Sequence, residues 1–569
     1  MASMVAGAQG NLPTLLTTGA IANEEARGGK ATQAPPQEIM VTEDEKRMCA
    51  DVKSSQCYQC LNCGTTLAGR AAQLRLQHFH EIGAKVRKDD MGWPSVLPYM
   101  LRYDGHPFTG GTASTMPNIE MFQRDNIFWC GLVGGLCSSM WNARICCSAP
   151  CALLGANCAA DEAHTKLLQT SLDDAFFNEI FNQRFGATML RAPLPGEDTL
   201  KLEAGAVICD LASTMEGLEV RPDHLFQPCN VLFRQDQERG LLVEAVVVMH
   251  ENSSQPTVYE KNSSSKDEWL WAKRLAVAGA VQRHQYTEHL VNGHMVMETF
   301  VALAYKHLSA EHYVFKLLAP VCGDVGFVNR TWGMDLMLVN EGAPYGPCLR
   351  LMSPQSLMST NGVRDQVAQA RQRFEPGRWF WFDEGGYMQG GCGVKQSTAF
   401  PLRDTARQLF EIMLSWASSV VEACWQEQDE ALASWWRAIW WKQMKPAKRE
   451  LSQAALSHVL ATCILQATFV HDLAHDSWLP DNHSQLLWKL RSRGTSFDPK
   501  EYLPSVAEQT SYRLGLLALN TGALESPLFC YRNVFKDDCL QDARTAFEDS
   551  LVRIILATPY LTKMGSMSH

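Results

Sequence analysis

The sequence predicts a mainly α-helical protein, one large helical domain with a small strand-rich insert placed before its central helix. Three observations carry that expectation. Long segments at 269–318, 405–425, 452–478 and 542–560 repeat their apolar residues with helical spacing. Between Lys201 and Met249, the clusters "AGAVICDLA" and "GLLVEAVVVM" have the length and β-branched content of strands, with turn signals between them. Finally, two separate apolar helices each carry a pair of histidines, which points to one site between them.

The elements follow in order. Residues 1 to about 50 are rich in Ala, Gly, Thr and Gln, contain "QAPPQE" and show no hydrophobic period, so a mobile extension is expected. Next, "CYQCLNCG" supplies Cys57, Cys60 and Cys63, with His78 and His80 downstream, a set able to bind zinc. It lacks a second CxxC or an HxxxH, and unligated thiols are the simpler reading. We therefore divide the chain into a partly disordered, cysteine-containing extension at 1–90 and a helical domain at 91–569. The apolar run from Ile127 to Gly155 is broken by Asn142, Arg144 and Pro150, which makes it a poor membrane span.

Composition narrows the function classes. A formal charge of -10 and no long basic run argue against nucleic acid as a partner and favour a neutral or apolar substrate. Nineteen cysteines spread over 569 residues do not form the dense framework of a small secreted domain. Reduced thiols in a cytoplasmic setting are expected, and no secretory leader is evident at the amino terminus.

The histidines carry the chemistry. "HQYTEHLVNGHMVMETF" places His284, His289 and His294 at intervals of five. On a regular helix, residues five apart point about 140° away from one another. His289 and His294 therefore cannot share an ion unless the helix is distorted, and a π-type bulge, with i to i+5 bonding, brings them nearly into line. In "FVHDLAHDSW", His471 and His475 stand at i and i+4 and share a face without any distortion. Four imidazoles without cysteine favour iron, manganese or zinc. Taken singly, each histidine also fits a satisfied core position.

The stretch from Trp269 to Pro320 resembles the signature of the lipoxygenases. It has the W-x-x-A-K opening at Trp269 to Lys273, the three histidines, Glu298 and Phe300 just after them, then His312 and "KLL" with Pro320 beyond. Weaker similarities run in the same order: Asp173 to Pro193, the strand pair within Pro228 to Met249, the helix after Phe400, the helix ending at His471 and His475, and the terminal "GSMSH". The resemblance is clearest over 170–569 and includes no amino-terminal β-barrel lipid-binding domain. It implies a lipoxygenase-type catalytic domain that inserts O2 into a polyunsaturated fatty acid with a cis,cis-1,4-diene, giving a hydroperoxide.

By that resemblance, non-haem iron, with manganese as the alternative, would be bound by His289, His294, His471 and His475, and by the terminal carboxylate of His569. His284 and His312 would lie nearby without binding metal. Trp332 and Leu336 would line the substrate pocket. Peripheral membrane contact follows only from where such substrates reside. The departures are Ala280 for an aspartate, Thr299 for a proline, Val321 for a histidine, Trp332 where Ala or Gly is usual, and His569 for isoleucine. They motivate two alternatives: a catalytically silent lipid-binding protein that keeps the fold, or a variant that converts hydroperoxides.

Overall fold

The computed structural model describes residues 172–194, 205–212, 227–250, 253–309, 311–322, 393–440, 450–471, 531–535 and 537–558, with 197, 473 and 497. The extension at 1–90, including Cys57, Cys60 and Cys63, lies outside them.

The chain enters through α1 (Asp174–Gln183), capped by the Asp173 carboxylate, which accepts from the Phe176 N–H at 2.8 Å. A short 3-10 turn at Phe185–Met189 leads into a five-stranded antiparallel meander. Its strands are β1 (Leu190–Arg191), β2 (Val207–Asp210), β3 (Cys229–Asp236), β4 (Gly240–His250) and β5 (Ser253–Glu260). The expected insert is thus present, and it is larger than the sequence suggested. β5 contains Pro256, which a central strand would not tolerate; β5 pairs with β4 alone, so it is an edge strand.

β4 outruns β5, and α1 covers the part left over. The Asn178 Oδ1 accepts from the Val243 N–H at 2.8 Å, while Asn182 accepts from the Leu241 N–H at 2.7 Å and donates to the Leu241 carbonyl at 2.9 Å. Those side chains satisfy backbone groups that would otherwise be buried and unpaired. Phe177 and Phe181 then pack on Phe233, with ring centroids 5.0 Å apart for the last pair. A bulge opposite Leu232 and Phe233 shifts the alternation of β4, so that Val243, Val246 and Val248 all face the main core.

The central helix begins at α2 (Lys266–Arg283), fixed by a capping box between Ser265 and Glu268. It continues without a break through a π-helical stretch, His284–Val296, into α3 (Met297–His307). α4 (Tyr313–Cys322), α5 (Pro401–Cys424), α6 (Glu430–Ile439) and α7 (Gln453–Leu465) follow, and α7 runs into a second π segment, Gln466–Val470. α8 (Tyr531–Val534) and α9 (Gln541–Ala557) close the described chain. α5 packs on α7 and α9, and the two π segments pack on each other. The span Gln453–Val470 is long and apolar enough to cross a membrane, yet 83% of it is buried inside the protein, as a helix that is apolar all round must be.

The W-x-x-A-K opening has a structural reason. Trp269 Nε1 and Lys273 Nζ, one helical turn apart, both donate to Asp174 Oδ1, at 2.9 and 2.7 Å, while Lys261 reaches its other oxygen at 3.0 Å. Lys273 also donates to the Leu172 carbonyl at 2.7 Å. α2 is thereby locked to the start of α1. Burial alone would raise the Asp174 carboxyl, but the hydrogen bonds from Lys273, Lys261 and Trp269 overcome it and hold the group down at about 2.

Candidate metal centre

The distortion that the five-residue spacing demands extends over the whole 13-residue stretch from His284 to Val296. With i to i+5 bonding, His289 and His294 come onto one side of the helix, and their Nε2 atoms stand 3.1 Å apart. Directly after the second π segment, His471 brings its Nε2 to 2.9 Å from that of His294. All three imidazoles are buried, and their candidate donor atoms lie within 4.8 Å of one another. Among the described residues, they form a group whose donor atoms could hold one metal ion. The second π segment was not expected: the sequence placed His471 on a regular helix.

These distances fit a metal ion. Two donors each about 2.1 Å from one ion, at a right angle, stand about 3 Å apart. An imidazole pair can share a proton in a hydrogen bond, but a third ring nitrogen converging on the same place is what an ion needs. An all-imidazole set suits iron, copper, nickel or zinc.

Three neighbours position the set, none of them readable from a metal motif. Gly293 leaves room for the third ligand: a Cβ there would fall 2.9 Å from His471 Cδ2 and 3.2 Å from the Glu288 carbonyl oxygen. Gln466 donates across to that same carbonyl at 3.4 Å, tying one π segment to the other. Asn292 donates to the buried Glu288 carboxylate at 3.1 Å, one turn along. The one sequence signal for Gly293 was its place just before His294, where a side chain would point at whatever shares the metal.

The other histidines are placed differently. His284 sits at the start of the π stretch, with its Nδ1 3.1 Å from Thr188 Oγ1 and its ring 5.8 Å from that of Phe185. His312 accepts the Val314 N–H at Nδ1, 3.1 Å away, so its Nε2 carries the proton and donates to Asp429 Oδ2 at 2.8 Å. Asp429 in turn caps α6, accepting from the Leu432 N–H at 2.8 Å. His312 therefore ties the start of α4 to α6. Burial lowers its affinity for a second proton, and the Asp429 carboxylate offsets this only in part. Ala280 and Val321, two departures from the expected pattern, are buried in the main apolar core and remove no donor from the group. His475, His569, Trp332 and Leu336 lie outside the described residues.

Residues 230–342 match the lipoxygenase family model. The seed linoleate 9S-lipoxygenase-3 of Pisum sativum is 25% identical over 197 residues, 31% of this chain and 22% of the pea protein. The polyunsaturated fatty acid lipoxygenase of Oryctolagus cuniculus is 26% identical over 267 residues, 43% of this chain and 38% of the rabbit protein. The chain thus spans well under half the length of these curated relatives. Among solved structures, a lipoxygenase deletion variant in complex with arachidonate superposes with a TM-score of 0.59 at 15% identity, covering 77% of this chain and 72% of that one. The family model falls on the helix of His289 and His294, and the helical architecture with its small antiparallel sheet is that of lipoxygenase catalytic domains; family model, relatives and fold together support the lipoxygenase family for this chain.

Proposed function

We propose that this chain is a fatty-acid dioxygenase, with iron held by His289, His294 and His471 and completed by His475 and the His569 carboxylate. Manganese is the alternative metal. The convergence of three buried Nε2 atoms from two helices with π segments, 2.9 and 3.1 Å apart along the set, carries the reading. The substrate class follows the relatives, whose names specify linoleate and polyunsaturated fatty acid, and the solved neighbour that holds arachidonate.

When bound, iron would supply the one-electron step that opens a C–H bond between two cis double bonds, a step zinc cannot provide. The chain's own part is placement. The three imidazoles must present unprotonated Nε2 atoms, so acid competes with the metal for them. The π segments set the ring directions, and Gly293 lets His471 approach. Val296, Met297, Phe469 and Val470, neighbours of the ligands in sequence, are all buried, so the stretches that carry the ligands pack into the apolar core.

Metal analysis of the purified protein, with oxygen uptake and conjugated-diene absorbance on linoleate and arachidonate, tests the proposal. Stoichiometric iron or manganese with diene formation is expected. A protein that binds fatty acid but carries no redox metal and consumes no oxygen would instead be the silent lipid-binding form of the fold.

A further inference from the structure

Cys424 is the last residue of α5, and Cys539 sits in the middle of a short 3-10 turn, Asp538–Leu540, that leads directly into α9. The turn and α5 touch, and packing on both sides of the turn fixes how they meet. On α5, Trp416 lies against Phe535 just before the turn and Phe547 beyond it, with ring centroids 5.5 and 5.6 Å apart. Leu540, next to Cys539, is buried in the same apolar core. Cys424 continues the buried face of α5, in line with Ala417 and Val420 at helical spacing.

The two thiols share one neighbourhood but differ in exposure. Burial pushes the Cys424 thiol up, and Asp537 and Cys539, near enough for their charges to act on it, push it the same way. Cys424 is half-buried, whereas Cys539 is the one exposed cysteine among the described residues; Cys209, Cys229, Cys322 and Cys463 are buried. That division suits a pair in which the exposed sulfur takes up an oxidant and the sheltered one resolves it.

We propose that Cys424 and Cys539 are a peroxide-oxidisable pair that closes into a disulfide between the end of α5 and the turn before α9. The Cys539 thiolate attacks the terminal oxygen of a hydroperoxide, the O–O bond breaks, and the departing alkoxide takes the proton of the thiol to leave as an alcohol. Cys539 is then a sulfenic acid. The Cys424 sulfur attacks it, the S–S bond forms, and the hydroxyl leaves with the Cys424 proton as water. Two thiols have lost two electrons and one hydroperoxide has gained them. A fatty-acid hydroperoxide is the product of the proposed dioxygenase, so the pair would meet an oxidant made on its own chain; only that source rests on the functional reading. The bond adds a covalent tie to a contact made by apolar side chains, and it joins positions far apart along the chain, which constrains the unfolded state most.

The test uses the full chain, reduced, freed of reductant, treated with hydrogen peroxide or linoleic acid hydroperoxide, then alkylated and digested without reduction. Mass spectrometry should find the Cys424 and Cys539 peptides joined as the main cross-link. The thermal midpoint should rise on oxidation and return with dithiothreitol. Cys424→Ser should leave Cys539 as a sulfenic acid that dimedone traps, and Cys539→Ser should form no cross-link at Cys424. Alkylated, unlinked Cys539 after both peroxides overturns the proposal, and so does a main cross-link from Cys539 to a different cysteine. A midpoint that oxidation raises equally in wild type and both serine variants overturns it too. If a serine variant does not fold, the wild-type cross-link still decides. Oxygen uptake on linoleate separates the two readings. A Cys424–Cys539 bond formed by added peroxide in a chain that takes up no oxygen upholds the pair and sinks the dioxygenase, whereas uptake with Cys539 still open to alkylation does the reverse.

Discussion

Gly293 and His471 are in contact through the absence of a side chain: a Cβ on Gly293 would lie 2.9 Å from His471 Cδ2. Gly293→Ala must therefore push the third imidazole away from His289 and His294 by a few tenths of an ångström or more. We expect weaker metal retention and an activity loss approaching about 100-fold, the scale that a misplacement near 1 Å produces. The measurement is metal content alongside oxygen uptake. Full metal occupancy with unchanged turnover in Gly293→Ala would show that the contact is slack.

Two histidines ten residues apart on one π stretch should behave oppositely. His294→Ala removes the ring whose Nε2 lies near both partners, so bound metal should fall below one equivalent and the thermal midpoint should no longer respond to a chelator. His284→Gln disturbs the contacts with Thr188 and Phe185, away from the three converging imidazoles, and should keep its metal. Loss of metal from both variants to the same degree would place His284 in the set.

The Asp174 clamp predicts a specific acid response. Its carboxyl is lowered from 3.8 to about 2, so its stabilising effect is complete above pH 4 and disappears as the pH falls through 4 towards 2. Full linkage corresponds to about 2 kcal/mol, and with the side chain 24% exposed, solvent screening reduces the expectation to about 1 kcal/mol. Asp174→Asn should be less stable than wild type at pH 6, and the gap should close near pH 2. Urea melts at both pH values measure it, and a gap independent of pH contradicts the clamp.

His312 works in the neutral form. Burial lowers it below the usual 6.5, against the pull of Asp429, so the unfolded chain takes up the proton first and stability declines as the pH drops below about 6.5. His312→Gln should abolish that share of the decline. Asp429→Ala removes both the partner and the cap of α6 and should cost about 1–2 kcal/mol at pH 7. Thermal melts from pH 5 to 8 follow both effects.

How far the site was legible in the sequence depends on the range of the interactions. The five-residue interval between His289 and His294 could not work on a regular helix, and that local constraint alone called for the π geometry. The corresponding distortion before His471 left no such trace, because the i, i+4 spacing of His471 and His475 is already satisfied by an ordinary helix. Strand content was visible in the β-branched runs of β2 and β4. The edge position of β5 and the asparagines that cover β4 were not, since they depend on contacts between α1 and the sheet.

The sequence by itself determined the helical class, the strand insert and the histidines that matter, because periodicity, capping and ligand spacing act over a few residues. Only the tertiary structure decided that His471 meets His294, that Gly293 makes space for it, and that Trp269 and Lys273 close on Asp174. Each of these joins groups far apart along the chain or depends on what surrounds a side chain, and both are fixed by packing of the whole domain.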